Sequence, residues 1–328
     1  MKICIVIDCL LPAYLYGGSE RVVVWLARGL QELGHKVVFI AKKGSALDFA
    51  EVIELDKAKP IDLQVPLDTD IVHLHTDMDF PERFKACMTI HGNTSIARSF
   101  HPNTIFCSQK HAHNHGGEAF VHLGLDPREY GAPNYSRSTN APLIFLGKAA
   151  WRLKNVKGAI SVARSANKEI CILGGTRLNF KMGFRFTFDR HAHFYGMVGG
   201  EEKNAILRNA SGLVFPVLWD EPGATAVVES LYFGFPIFAT PYGCMPELVP
   251  SQVGRLSNIA EELAVAASTS EKFDPRVIHA WWSSGFTYLH MASKYLKYYE
   301  SILDGQNLHD APLVSGAVRT KKLFSWVD

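Results

Sequence analysis

Leu218-Trp219-Asp220-Glu221-Pro222-Gly223-Ala224-Thr225-Ala226-Val227-Val228-Glu229-Ser230-Leu231 is the stretch on which the reading of this chain turns. It follows a short apolar run, Gly212-Leu213-Val214-Phe215-Pro216, that reads as a buried strand, and it enters a helix that Gly234 and Pro236 close. Glu221 falls in the loop before that helix and Glu229 two turns inside it. Gly223 and Ala224 open the helix with small side chains, which leaves its first N–H groups accessible. A helix start after a parallel strand is where α/β proteins bind anionic phosphate. One acid before that point and one behind it suit the hydroxyls of a sugar phosphate or nucleotide. The competing reading is a solvated acidic loop followed by a helix with one capping acid.

The rest of the chain frames this stretch. At 328 residues it is long enough for two domains. With 47% apolar residues, 20% charged residues and a net charge of +2, it has material for two cores and no field that argues for a nucleic-acid partner. The six cysteines, Cys4, Cys9, Cys87, Cys107, Cys171 and Cys244, form no CxxC pair and sit mostly in apolar strand-like runs. That pattern fits small buried hydrophobes in a reducing compartment. Met1 to Leu11 is too short for a membrane span, is interrupted by Asp8 and has no small-residue cleavage site, so a cytoplasmic protein is expected.

In chain order, Lys2–Cys9 reads as a buried parallel strand, and a loop ending in Gly17-Gly18 follows. A helix from Ser19 to Leu33 has Ser19 as N-cap, a stripe of Val22, Val23, Leu26, Leu30 and Leu33, and Gly34 as its stop. Lys36–Ala41 completes a βαβ unit with a Gly-rich first turn, but GxGxxG is absent, so the nicotinamide fingerprint is not met. Further strands are read at Asp70–His75, Cys87–His91, Thr104–Ser108 and Ala119–Leu123. Because C-terminal strand ends line the crevice of an open parallel sheet, His75 and His91 are candidates to face a ligand. His91 is favoured because Gly92-Asn93 opens a turn after it; the alternative for either is a hydrogen-bonded structural histidine. Asp77-Met78-Asp79 and the helical pair His111/His115 invite a metal, but spacing supplies no further ligands.

A segment rich in Pro, Gly, Ser and Asn, 126–140, places a domain boundary near residue 137. Beyond it a second α/β pattern begins: strand Leu143–Gly147, a basic loop, helix Asn155–Ala166, strand Glu169–Leu173 and a short strand His193–Tyr195. A helix near Glu201–Arg208 leads into the opening stretch, after which come strand Pro236–Ala239 and helices near Ala260–Ser268 and Pro275–Trp282. The basic loop carries Lys148, Arg152, Lys154 and Lys157, a plausible diphosphate clamp or a solvated face. The last helix is read over Phe286–Leu303, and the tail 306–328 as mixed and open to flexibility, its three late cations too few to argue for a membrane.

Two doubly wound halves, a Gly-Gly loop in the first and Glu-x7-Glu in the second resemble the retaining glycosyltransferases of the two-Rossmann (GT-B) fold, family 4. Gly17-Gly18-Ser19-Glu20 is similar to the family's GGxE-type segment, Thr89-Ile90-His91-Gly92 to its strand-end histidine motif, and His122-Leu123-Gly124-Leu125-Asp126 to its hinge signature. Glu221-Pro222 through Glu229-Ser230, then Gly234-Phe235-Pro236-Ile237, Gly243 and Pro246-Glu247-Leu248-Val249, are similar to its most specific block. The resemblance implies an α/β protein with residues 1–137, plus a returning helix at about 286–304, on the acceptor side, residues 138–285 binding the donor, and an interdomain cleft. It implies a retaining transfer of a hexose-type sugar from a UDP- or GDP-sugar to an acceptor hydroxyl, without metal or cofactor, the acceptor being a small molecule, a glycan or a lipid-linked molecule.

It also assigns roles: Glu229 on the donor ribose, Glu221 and His91 beside the transferred sugar, Lys157 on the leaving diphosphate. Backbone N–H groups at Gly223, Ala224 and Thr225 take sugar hydroxyls or the β-phosphate, and Gly17 and Gly18 lie under the diphosphate. The family's usual Gly-Arg is here Gly147-Lys148, and Lys157-Gly158 comes further along than usual, so either Lys148 replaces the clamping arginine or Arg152 swings in. Gly223-Ala224-Thr225 stands where Phe-Gly-[LI] is common. A sugar-nucleotide epimerase or hydrolase of the same fold, and a non-catalytic nucleotide-sugar binding protein, are the rival readings. No nucleic-acid partner is expected and membrane association is not indicated.

Overall fold

The computed structural model describes residues 1–13, 17–180, 182, 184–319 and 322–328. The chain divides into two units, the first formed by 1–13, 17–126 and 285–319, the second by 127–284 and 322–328. The passage between them falls at 126–127 rather than near 137, because the polar residues that follow Asp126 are not a linker. In the second unit the Tyr130 hydroxyl reaches Glu229, Tyr232 donates to the Gly131 carbonyl, and Arg137 donates to the carbonyls of Phe233 and Gly234.

The first unit begins with β1 (Lys2–Ile7), α1 (Gly18–Glu32), β2 (Lys36–Ala41), β3 (Glu51–Glu54), β4 (Ile71–Leu74), β5 (Ala86–Ile90), β6 (Arg98–Phe100), β7 (Thr104–Phe106) and α2 (Gln109–Asn114). Its main sheet has the order β3-β2-β1-β4-β5-β7 and is parallel throughout. That is the doubly wound order in which the chain reverses direction across the sheet at β1 and β4. The strands are apolar on both faces, as a sheet covered on both sides requires. Cys4, Val6, Ile40, Val72, Leu74 and Met88 pack on one side with Ile61 and Val65.

The second unit runs β8 (Leu143–Leu146), α3 (Val156–Ser165), β9 (Ile170–Leu173), β10 (Leu178–Asn179), β11 (Arg185–Phe186), β12 (Ala192–Phe194), α4 (Gly200–Arg208), β13 (Gly212–Phe215), α5 (Thr225–Tyr232), β14 (Ile237–Ala239), α6 (Met245–Leu248), β15 (Gly254–Leu256), α7 (Ala260–Ser268) and α8 (Pro275–Gly285). Its sheet, β12-β9-β8-β13-β14-β15, repeats the same order and is again parallel. Leu143, Phe145, Ile170, Ile172, Val214 and Phe238 form its core with the apolar stripes of α3 and α7. The chain then returns to the first unit with α9 (Tyr288–Leu303) and β16 (Leu313–Ser315), which pairs antiparallel with β6. α9 packs on α1, and Gly29 permits the close approach, since a Cβ there would sit 2.8 Å from the Tyr288 carbonyl oxygen.

Four local expectations differ from the structure. Ser19 does not cap α1: its hydroxyl donates to Glu20, and Gly17 holds the cap position without a side-chain bond. Ala119–Leu123 is not a strand, making only an isolated bridge between Phe120 and Phe106. The tail forms β16 in the first unit, while in the second Phe324 donates to the Leu218 carbonyl at 3.0 Å and Val327 bridges to Ile259. β3, β6 and β15, each four residues or fewer, carried no readable period, and the β10–β11 hairpin is a further pair of strands that the sequence reading lacks.

All six cysteines are free thiols. Burial pushes the Cys4 and Cys107 thiols up to about 12, so they are not reactive nucleophiles. Among the described residues no helix is long and apolar enough to cross a membrane.

Candidate functional site

In the second unit the chain leaves β13 through Pro216–Pro222 and enters α5, whose N-cap, Ala224, gives no side-chain hydrogen bond. The helix therefore starts at Thr225, two residues beyond the sequence expectation, with its first N–H groups uncapped by any side chain. The loop is fixed from below by the turn after β14. Gly243 donates its N–H to the Asp220 carboxylate at 3.1 Å, and Cys244 donates to the Glu221 carbonyl at 2.9 Å. Gly243 has φ +62°, and a Cβ there would lie 2.1 Å from the Glu221 nitrogen and 2.3 Å from its carbonyl oxygen, so only glycine fits beneath Glu221.

Glu221 is buried, and its Oε2 accepts from Lys154 Nζ at 2.6 Å and from the Trp219 indole N–H at 2.8 Å. The ammonium of Lys154 is itself boxed by aromatic rings, 4.9 Å from the Phe215 centroid, 5.6 Å from Trp219 and 5.8 Å from Trp151. This arrangement follows from local sequence. Asn155 adopts a left-handed conformation (φ 52°) and caps α3, its Oδ1 accepting from the Gly158 N–H at 3.1 Å. A Cβ at Gly158 would come 2.3 Å from the Asn155 amide nitrogen, which explains the glycine after Lys157. The residue before this cap, Lys154, points into the unit, and Leu218 donates to the Leu153 carbonyl at 2.8 Å, tying the two loops together.

Glu229, two turns into α5, is also buried and paired. Its Oε1 accepts from the Tyr130 hydroxyl at 2.6 Å, and Lys203 Nζ lies 3.1 and 3.2 Å from its two oxygens. Lys203 is buried with its ammonium 4.8 Å from the Tyr130 ring. The two acids of the opening stretch are thus both ionic partners of internal lysines, but each lysine comes from a different helix start.

The other basic-loop residues stay outside this network: Lys148, Arg152 and Lys157 are exposed. Arg152 and Lys157 line a cavity of about 380 Å³ with Trp151, Phe184 and Leu218. The glycines of the neighbouring strand ends bring backbone close to backbone. Gly174 has φ +120°, and a Cβ on it would lie 2.2 Å from the Gly147 carbonyl oxygen. Of the predicted site residues in this unit, the structure brings Glu221 beside Gly243 and Lys154, places Gly223, Ala224 and Thr225 at the start of α5, and leaves Lys148 exposed while Lys154 and Lys203 pair with the two acids. Tyr130 and Lys203 have no role in the sequence reading, and Lys154, read there as one of four clamp cations, is instead buried against Glu221. The Asn155 cap was the available signal for Lys154, whereas Lys203 lies in a helix that reads as solvated charge.

In the first unit, His91 follows β5 and is half-buried. Its Nε2 lies 2.8 Å from Nδ1 of His75, which is buried behind it at the end of β4, and its Nδ1 lies 3.8 Å from the Cys107 thiol. His75 thus backs His91, its outer nitrogen Nε2 lacking a hydrogen-bond partner. Burial pushes His91 down to about 4 and His75 well below the ordinary histidine value, so both are neutral near pH 7. Gly17 sits at the start of α1, where a Cβ would come 2.8 Å from that of Ala13, and Gly18 is the first helical residue; residues 14–16 of this loop lie outside the described residues. Asp77 of the Asp-x-Asp pattern is taken up by Arg98, at 2.5 and 2.6 Å. His111 accepts from the Cys107 N–H at 3.2 Å, and His115 is hydrogen-bonded to Ser315 at 2.7 Å.

Comparison with known proteins places this geometry. Residues 132–266, most of the second unit, match the family model described as glycosyl transferases group 1. No curated protein matches the chain by sequence. Among solved structures, AviGT4, a glycosyltransferase involved in avilamycin A biosynthesis, is similar with a TM-score of 0.75 at 21% identity, covering 93% of this chain and 98% of that one. Sucrose-phosphate synthase from Thermosynechococcus elongatus is similar with a TM-score of 0.71 at 14% identity, covering 93% of this chain and 100% of that one. HepE from Anabaena, solved in complex with UDP-glucose, has a TM-score of 0.64 at 15% identity over 92% of this chain and 100% of that one. The two parallel sheets in the same doubly wound order are those of the GT-B fold. The acids of Glu-x7-Glu and the uncapped helix between them lie inside the segment that matches the glycosyl transferases group 1 model.

Proposed function

We propose that this protein is a glycosyltransferase that moves a hexose-type sugar from a UDP- or GDP-sugar to an acceptor hydroxyl, with retention and without a metal. The observation that carries the reading is the paired environment of Glu221. Its carboxylate is held in place by Lys154 and Trp219 directly before the uncapped start of α5, so a fixed acceptor of hydroxyl protons lies next to free N–H donors. A sugar diphosphate needs both: carboxylate oxygens for its hydroxyls, and N–H groups and cations for its phosphates. HepE, bound to UDP-glucose in its solved structure, shares the fold and lends support to a nucleotide sugar as donor.

In the proposed reaction the bond between the anomeric carbon and the leaving phosphate oxygen breaks. The acceptor oxygen attaches to the same face of that carbon, and its proton passes to the departing phosphate. The charge that develops on the diphosphate is met by the α5 dipole and by the exposed cations Lys157, Arg152 and Lys148. Glu229 takes the ribose hydroxyls with Lys203 and Tyr130 setting its orientation, and Glu221 holds hydroxyls of the transferred sugar. On the first unit, His91 is assigned to the reacting sugar and Gly17-Gly18 to the diphosphate, both from the family resemblance. Neither Glu221 nor Glu229 acts as a general acid or base.

The test is to incubate the protein with UDP- and GDP-sugars and an acceptor extract and to follow nucleotide release and product mass, for the wild type and for Glu229→Ala. Transfer that Glu229→Ala abolishes supports the proposal. Release of nucleotide with free or epimerised sugar and no acceptor adduct identifies a hydrolase or epimerase instead. Binding without any turnover identifies a nucleotide-sugar binding protein.

A further inference from the structure

The crossover from β9 to β12 is made by a hairpin rather than a helix, and its sequence is inside out. From Arg177 to Asp189 the chain alternates strictly, with apolar residues at Leu178, Phe180, Met182, Phe184, Phe186 and Phe188. Period-two alternation in a soluble protein turns its apolar face to the core. Here that face is outward: Leu178 is 44% exposed, Phe180 73%, Met182 48%, Phe184 71%, Phe186 44% and Phe188 83%. The intervening polar positions hold the hairpin to the unit. Arg185 is buried and donates to the Thr176 carbonyl at 3.0 Å and the Thr187 hydroxyl at 2.7 Å. Arg177 donates to the carbonyls of Asp189, at 2.8 Å, and of Ala192. Both guanidinium groups lie over the Phe194 ring of β12, at 5.6 and 5.4 Å. Phe180 and Phe184, 5.8 Å apart, and Phe186 and Phe188, 4.1 Å apart, are thereby presented as two aromatic pairs.

We propose that this hairpin docks the protein on an anionic lipid bilayer, its phenylalanines entering the boundary between headgroups and acyl chains. An exposed apolar face of this size on a soluble domain marks an interaction surface. Its charge selects the occupant. By sequence, Arg177, Lys181, Arg185 and Arg190 against Asp189 give residues 177–190 a net charge of +3 (four minus one); Arg177 and Arg185 are used up in holding the hairpin, but Arg190 is exposed, and the exposed Arg152 and Lys157 share a cavity with Met182 and Phe184. An aromatic wedge set among cations is the pattern of interfacial membrane binding, where buried apolar area and attraction to acidic headgroups add. A second copy of the chain fits less well, because a two-fold contact brings one cationic hairpin against another. This inference does not depend on the donor or the reaction.

The experiment is co-sedimentation with phosphatidylcholine vesicles, with and without phosphatidylglycerol, of the full chain and of Phe180→Ser/Phe188→Ser. These two residues are the most exposed of the six, so thermal melting is expected to be unchanged in the variant. The wild type is expected to pellet with the anionic vesicles, and the double variant to bind them about tenfold more weakly. Wild-type protein that stays in the supernatant with anionic vesicles overturns the proposal, as does a double variant that pellets like the wild type. So does a lipid-free wild type that sediments as a dimer while the variant is a monomer, which assigns the face to self-association.

Discussion

Replacing Lys154 by Met strips a buried carboxylate of its counter-ion while keeping most of the side-chain volume. The Nζ–Oε2 distance is 2.6 Å, and the side chains of Lys154 and Glu221 are 11% and 8% exposed. At an effective dielectric of about 20, attraction at this separation is about 6 kcal/mol, much of it offset by the desolvation of both ions. Removing one partner exposes that penalty, about 3–5 kcal/mol for a buried pair. The Trp219 indole N–H still donates to Glu221, so the lower end, about 3 kcal/mol, is expected. At about 2–4 °C per kcal/mol for a unit of this size, the melting temperature of the second unit falls by roughly 6–12 °C. The assay is thermal unfolding followed by tryptophan fluorescence, since Trp151 and Trp219 flank the ammonium. Lys154→Met/Glu221→Gln removes the stranded charge and is expected to be more stable than Lys154→Met alone, giving a coupling energy above about 1 kcal/mol. A Lys154→Met protein that melts with the wild type, or single-variant costs that simply add in the double variant, would refute the pairing and the role given to Glu221.

Gly243→Ala drives a methyl group into the Glu221 backbone, and transfer activity is expected to fall at least about tenfold with the fold retained, measured as initial rate alongside circular dichroism. Tyr130→Phe leaves Glu229 short of one donor. A stability loss of about 1–3 kcal/mol and weaker nucleotide binding by calorimetry are expected, and unchanged affinity would separate Glu229 from the ribose. Burial holds His73 at about 3 and His91 at about 4, below the ordinary histidine value, so an unfolding chain takes up protons that the folded one refuses. The stability of the first unit is therefore complete above about pH 6.5 and is lost as pH falls from there toward about 4 and then 3, about 3 kcal/mol of it from His91. Urea midpoints at about pH 7 and about pH 5 measure the slope, which His91→Asn is expected to flatten. Chelation with EDTA is expected to leave transfer unchanged, and restoration of a lost rate by added divalent cations would overturn the metal-free mechanism.

The sheets were legible because parallel strands buried on both faces write themselves as continuous apolar runs: Lys2–Ile7, Leu143–Leu146 and Gly212–Phe215 all lie inside the ranges expected from sequence. Short edge strands such as β3, half-exposed along its four residues, leave no such mark. In the site, the Glu221 and Glu229 positions were readable from spacing, but their partners were not. Lys203 sits in a helix rich in charge, and Tyr130 in a stretch that reads as a linker, so only the folded chain pairs them with Glu229. The basic loop shows the same limit: four cations follow β8, and which of them turns inward depends on the left-handed Asn155, a backbone choice that composition does not encode. The hairpin from Arg177 to Asp189 was open to the opposite error, since its alternation is the usual mark of a buried face.

The return of α9 to the first unit bears on how the chain is made. Thr89 and His73, on strands synthesised early, are hydrogen-bonded to Tyr295 and Tyr299, and α1 buries its stripe against α9. As the chain leaves the ribosome, β1 to β7 therefore emerge long before the helix that satisfies their buried polar groups. Until Tyr288–Leu303 has emerged, that half of the protein presents an uncovered face of α1 and a buried histidine short of a partner, a state that chaperones bind and that favours aggregation. Chains truncated ahead of α9 are expected to be insoluble for this reason, although they contain every strand of the first parallel sheet.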